Sequence, residues 1–68
     1  MSEFRSIADI IKKRRKLLGI NQDALAEIAG VSVRTVKAIE SDAANPSVKL
    51  LGKILGPLGL SLRVTARS

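Results

Sequence analysis

The stretch INQDALAEIAGVSVRTVKAIE, Ile20–Glu40, decides how this chain folds. Asn21 stands where a helix N-cap belongs, ahead of Leu25, Ile28 and Ala29 at helical spacing. Gly30 ends that helix, because glycine reaches the left-handed conformation that closes a helix at little cost. Ser32 caps the next helix, on which Val36 and Ile39 face inward. Only Gly30, Val31 and Ser32 join the two, and so short a connector fixes the angle between them. Ala26 is small where the helices would cross, and Val31 turns inward with Val36 and Ile39 to lock the pair.

Two helices held at a fixed angle by a three-residue link make a helix-turn-helix, whose second helix enters the DNA major groove. The composition of that second helix fits. At about 100° per residue, Thr35, Val36 and Ile39 share one arc, and Val33, Arg34, Lys37, Ala38 and Ser41 lie on the other. That outer arc is too mixed for a core and too apolar for an ordinary solvated face. It suits a surface that reads bases. A guanidinium bonds guanine bidentately, a valine or alanine touches a thymine methyl, and small neighbours let the helix sit deep.

The rest of the chain is punctuated in the same way. Ser6 is the expected cap of a first helix, with Asp9 three residues on, and Ile7, Ile10, Ile11, Leu17 and Leu18 as its apolar set. Gly19 closes it. Ser47 caps a fourth helix carrying Val48, Leu51, Ile54, Leu55 and Leu58, and Gly56 and Pro57 end it near Leu55 or Gly56. The tail changes period. Leu60, Leu62, Val64 and Ala66 alternate with Ser61, Arg63, Thr65 and Arg67, which is the pattern of a half-buried strand. With no second strand in the chain, the tail is expected to pair with its own copy as an antiparallel ribbon about a twofold axis. A frayed terminus is the competing reading.

Composition agrees with a nucleic-acid partner. The 68 residues include 12 Lys and Arg against 6 Asp and Glu, a net charge of +6, which favours polyanions. Phe4 is the only aromatic, which argues against single strands, since these are bound by stacking. Cysteine and histidine are both absent. No disulfide or zinc site can then reinforce so small a core, no cofactor is implied, and a second subunit is the remaining support. A catalytic site would need a poised base or nucleophile, and none is visible, so an enzyme is not expected. No apolar run approaches the roughly 20 residues that span a bilayer, and the N-terminus lacks a signal-peptide core, so the expected location is the cytoplasm.

Glu40 ends the reading helix, where a free carboxylate would repel phosphate, so it is expected to be paired. The first helix offers two arginines. Wheel geometry puts Arg14 nearer the middle of the apolar arc and Arg15 at its margin, beside Ile11.

Ile20–Glu40, followed by "NPS" and "LG", resembles the Cro/CI-type (XRE) helix-turn-helix family over roughly Ile7 to Leu60. Gln22, Leu25, Ala26, Gly30, Val31, Val36, Ile39 and Glu40 all fall in register. The resemblance implies a mostly α, four- to five-helix, lambda-repressor-like domain, here residues 1–59, with residues 60–68 as a dimerising β-strand. It implies that Gln22 contacts a DNA phosphate, with Asn21 beside it at the positive end of its helix. It maps base reading onto Val33, Arg34, Lys37 and Ala38, with Thr35 and Ser41 as flanking phosphate contacts. It selects Arg15, rather than Arg14, as the partner of Glu40. The end of the chain, KILGPLGLSLRVTAR, is similar to that of HipB-like antitoxins. That likeness implies a homodimer joined through the tail, here Leu60, Leu62, Arg63, Val64 and Ala66, an autoregulated operon, and a kinase-type toxin as partner; the twofold axis of such a dimer calls for a near-palindromic operator. A phage- or restriction-type regulator without a toxin, and a module that chiefly neutralises a toxin, are the alternatives.

Two departures stand out. The family's loop after the third helix is usually basic with a glycine, whereas Ser41–Asn45 reads SDAAN, so fewer phosphate contacts are expected there. Val33 replaces a polar residue common in phage repressors. The run KKRRK, Lys12–Lys16, wraps around the first helix. It reads equally as a solvated face or as a patch with one or two residues near phosphate.

Overall fold

The computed structural model describes residues 5–64 and 66, with side chains from Ile7 onward. It contains four helices, α1 (Arg5–Leu17), α2 (Gln22–Ala29), α3 (Val33–Glu40) and α4 (Val48–Leu55), and a 3-10 turn, Gly56–Leu58, that continues α4. The helical part of the expected fold is therefore present. Gly56 and Pro57 tighten the end of α4 into that turn, since proline cannot donate to the preceding ladder.

Side chains cap three of the helices as their sequences require. Asn21 Oδ1 accepts from the Ala24 amide at 2.7 Å, Ser32 Oγ from the Thr35 amide at 3.1 Å, and Ser47 Oγ from the Leu50 amide at 3.0 Å. Helix α1 differs from expectation. It already includes Arg5, so Ser6 lies inside the helix and is not its N-cap.

The helix ends share one closure. In each, an amide bonds back five residues while the amide before it bonds back three: Ile20 to Arg15 and Gly19 to Lys16, Val31 to Ala26 and Gly30 to Glu27, Leu60 to Leu55 and Gly59 to Gly56. The residue at the bend is left-handed in each, with φ of 73° at Gly19, 72° at Gly30 and 71° at Gly59. Helix α3 closes in the same way, Ala43 to Ala38 and Asp42 to Ile39, but the bend is made by Asp42, at φ 59°.

The core is one cluster. Ile11 of α1, Leu25 and Ala26 of α2, Val36 and Ile39 of α3, Leu51, Ile54 and Leu55 of α4, and Leu58 meet there, with Ile7, Ile20, Ala29, Val31 and Leu60 packed against it. Several apolar residues expected inside are outside. Ile10, Leu17, Leu18, Ile28 and Val48 are exposed. In α1 the buried arc runs through Ala8, Ile11 and Arg15. It is turned by roughly 90° from the arc that the isoleucines and leucines alone define. That rotation carries Arg15 into the core and leaves Arg14 at its edge.

The expected C-terminal strand is not formed within the single chain. Leu60 packs on the core, but Ser61–Val64 and Ala66 belong to no regular element, and Leu62, Arg63, Val64 and Ala66 are exposed. An unpaired strand has no hydrogen-bonding partner to define it, and no other described segment could supply one. Thr65 and Arg67, the remaining positions of the alternating tail, lie outside the described residues.

Candidate nucleic-acid interface

The angle between α2 and α3 is held by apolar contact and by one turn. Gly30 bends the chain, Val31 packs on the core, and Ala26 is buried between the helices. An alanine at position 30 would meet open space but would have to adopt φ 72°, so the need for glycine there is one of backbone conformation, not of room.

With Val36, Ile39 and Glu40 buried, α3 presents Arg34, Lys37 and Ser41 to solvent, with Ala38 half-buried beside them. These are long donors separated by small residues, as base reading requires. Val33 fits that role less well. It is half-buried and packs against the core, because its position on the wheel falls beside Glu40 rather than opposite it. Thr35 is also half-buried, its hydroxyl 2.9 Å from that of Ser32, and the Ser41 hydroxyl donates to the Ala38 carbonyl at 3.2 Å. Both hydroxyls thus already have partners within the protein.

At the first turn of α2, Asn21 spends its carbonyl oxygen on the cap. Its amide group stays on the exposed side, at the positive end of the helix dipole. Gln22 is half-buried, and its Nε2 donates to Glu40 Oε1 at 3.2 Å. This bond brings the start of α2 to the end of α3. A glutamine amide has two N–H donors, so the second remains for an external oxygen.

Glu40 is the centre of a buried network. Arg15 approaches it with two donors, Nε to Oε2 at 2.6 Å and Nη2 to Oε1 at 2.9 Å, and sends Nη1 to the Ile20 carbonyl at 3.0 Å. The pairing that the resemblance selected is the one observed. Burial pushes the Glu40 carboxyl up. The hydrogen bonds from Arg15 and Gln22, with the charges of Arg15 and Lys12, outweigh it and hold the group below the ordinary carboxylate value. The hydrogen bond to Glu40 in turn raises Arg15 above its ordinary value.

The structure separates the basic run residue by residue. Arg15 is buried, and Arg14 Nε donates to the Leu58 carbonyl at 2.9 Å, holding the end of the α4 extension against α1. Lys13 and Lys16 are exposed. Lys12 lines a shallow polar depression with Ala8, Asp9, Glu40, Ser41 and Asp42, at the C-terminal end of α3. Of the five it is therefore the one placed beside the exposed face of α3. Sequence reasoning missed the Gln22–Glu40 bond and the Arg14–Leu58 bond. Both join residues far apart in the chain, and neither leaves a periodic signal.

This geometry defines a class: a helix-turn-helix domain with an exposed, basic second helix. A family model described as "Helix-turn-helix" matches residues 11–64, most of the chain. An uncharacterized HTH-type transcriptional regulator of Methanothermobacter thermautotrophicus is 40% identical over 50 residues, covering 74% of this chain and 72% of that protein. A second protein so described, from Haemophilus influenzae, is 36% identical over 58 residues, and the match spans 85% of this chain but 58% of that longer relative. The chain belongs to the XRE-type helix-turn-helix family, a family of DNA-binding transcription regulators. No helix among the described residues is long and apolar enough to cross a membrane.

Proposed function

We propose that this chain is a homodimeric repressor that binds a near-palindromic operator in double-stranded DNA and regulates its own operon as the antitoxin of a toxin–antitoxin pair. The observation that carries the DNA reading is the outer face of α3. Arg34 and Lys37 are exposed there, while Val33, Val36 and Ile39 pack on the core and Glu40 is bonded to Arg15 and Gln22. Gln22 and the N-terminus of α2 supply phosphate contacts that set the register, and the α3 side chains specify sequence. The reading assigns the chain no catalysis.

Support for the dimer lies in the tail and the apolar surface beside it. Leu62 and Val64 are exposed, at 41% and 96%. Beside them, Ile7, Ile10, Leu55, Leu60 and Leu62 line one apolar hollow, and Ile10, Leu17 and Leu60 border another next to Lys13 and Arg14. A second copy of the tail would cover this surface and satisfy the open backbone of both strands. Its twofold axis would set two α3 helices about 34 Å apart, one turn of DNA. The antitoxin role rests on the likeness of Lys53–Arg67 to the ends of HipB-like antitoxins. The test is purification from the native host, with bound DNA sequenced and bound protein identified. A kinase-like partner and the chain's own promoter support the proposal. A bound promoter with no protein partner supports the phage- or restriction-type alternative instead.

A further inference from the structure

The sequence of the tail and the hydrogen bond at its start limit how two copies of it can pair. In an antiparallel pair, facing residues alternate between hydrogen-bonded and non-hydrogen-bonded pairs. A twofold axis makes the pairs on its two sides equivalent. It can therefore pass only through a residue that faces its own copy, never between two residues. Positions of the same parity then face each other, so Leu60, Leu62, Val64 and Ala66 form one apolar side with those of the copy.

Charge and the preceding turn narrow the choice of centre. A centre at Arg63 or Arg67 sets an arginine against itself, and a centre at Thr65 sets Arg63 against Arg67. Like charges directly opposite destabilise a ladder. A centre at Leu62 stops the ladder at Val64, because the next pair would need Gly59, which is left-handed in the turn at φ 71°. A centre at Ala66 faces Val64 with the polar Ser68, although Val64 is the more exposed of the tail's two large exposed apolar residues. A centre at Val64 has none of these faults. Leu62 then faces Ala66, and Arg63 faces Thr65. Thr65, Arg67 and Ser68 lie outside the described residues and enter only by their place in the sequence.

The bonding pattern follows from the start of the tail. The Leu60 amide is already given to the Leu55 carbonyl, at 3.0 Å, so Leu60 can stand only in a non-hydrogen-bonded pair. Alternation then puts the even-numbered positions in such pairs, where side chains come closest, and leaves the cross-strand bonds to the odd-numbered ones. We propose that two tails pair about Val64, with Val64 against its own copy, Leu62 against Ala66, and the hydrogen bonds made at Ser61 and Arg63. This register rests on the dimer reading above.

The chain has no cysteine of its own, so single cysteines introduced into the whole chain report the centre. A disulfide needs Cα atoms within about 7 Å, and facing non-hydrogen-bonded residues stand about 4.5 Å apart. With Val64 on the axis, the two copies of Arg63 are offset along the strands by about 7 Å and those of Leu62 by about 14 Å. Under mild oxidation Val64→Cys is expected to form a disulfide dimer at least about tenfold faster than Arg63→Cys or Leu62→Cys. Leu62→Cys mixed with Ala66→Cys should link faster than either alone. Sedimentation of the reduced variants reports whether a dimer exists. Fastest linking at Arg63 or Leu62 overturns the register and leaves the dimer standing. A dimer in which no cysteine links faster than in denaturant removes the tail as the joint, and the register with it. Monomers throughout, wild type included, overturn the dimer reading and the inference together.

Discussion

Gln22 Nε2 lies 3.2 Å from Glu40 Oε1, so the first residue of α2 is tied to the last residue of α3 through the carboxylate that also pairs with Arg15. Three helices thus meet at one buried acid, and the side chain proposed to touch phosphate is held by the group that orders the core. Glu40→Ala would leave the Arg15 guanidinium buried without its partner, and breaking one side of such a pair costs roughly 3–5 kcal/mol. Much of the stability of a small domain is at stake, so chemical denaturation should show a chain largely unfolded or close to it. A loss within about 0.5 kcal/mol, the range of an ordinary surface substitution, would show that the pair does not hold the fold.

The same carboxyl sets the acid response. Glu40 is held below its ordinary value in the folded chain, so on acidification the unfolded chain takes up that proton first. The contribution is fully present above the ordinary glutamate value, near pH 4.3, and is lost as pH falls through the lower folded value. Glu40→Gln should be less stable than wild type at neutral pH and should lose less stability between about pH 4.3 and the acid limit. Parallel slopes for the two chains in thermal melts across that range would rule out Glu40 as the acid-sensitive group.

Gln22 and Arg34 should behave differently on DNA. Arg34→Ala is expected to cost about 1–3 kcal/mol on the true site and to relax preference at one base pair. Gln22→Ala should weaken binding to all sequences evenly, since phosphate contacts position without specifying. Gel shifts on matched and mismatched duplexes separate the two, and an even loss for Arg34→Ala would remove its base-reading role.

The proposed dimer can be tested without disturbing the core. Leu60 packs on the core, whereas Leu62 and Val64 are exposed outside it. Leu62→Lys combined with Val64→Lys should therefore yield a folded monomer with much weaker operator binding. A tight dimer in sedimentation would exclude the tail as the joint and direct attention to the exposed Ile10 and Leu17 of α1.

The features legible in the sequence were those decided by local chemistry. Asn21, Ser32 and Ser47 cap because a short oxygen one residue before a helix reaches its free amides, and Gly30 bends because glycine reaches φ 72° without strain. Arcs were harder. Ile10, Leu17 and Ile28 share a helical period with the core residues yet are exposed, because periodicity marks a face without saying which neighbours cover it. That ambiguity is why the wheel favoured Arg14 over Arg15. Val33 falls among the base readers on the family pattern, although its angle on the wheel lies close to that of buried Glu40 and it packs on the core. The alternation from Leu60 to Arg67 is plain in the sequence, but a strand is a property of a pair, and a single chain supplies one member. Nothing in the residue string marks Asp42 as left-handed.

The central claim is that the outer face of α3 reads duplex DNA through Arg34 and Lys37. Its most direct test is enrichment of bound sequences from a random duplex pool, run in parallel with wild type and with Arg34→Ala combined with Lys37→Ala. Wild type is predicted to enrich a near-palindromic site with half-sites about one helical turn apart, and the double variant to bind weakly and enrich nothing. No enrichment by wild type, or the same site enriched by both chains, would contradict the account.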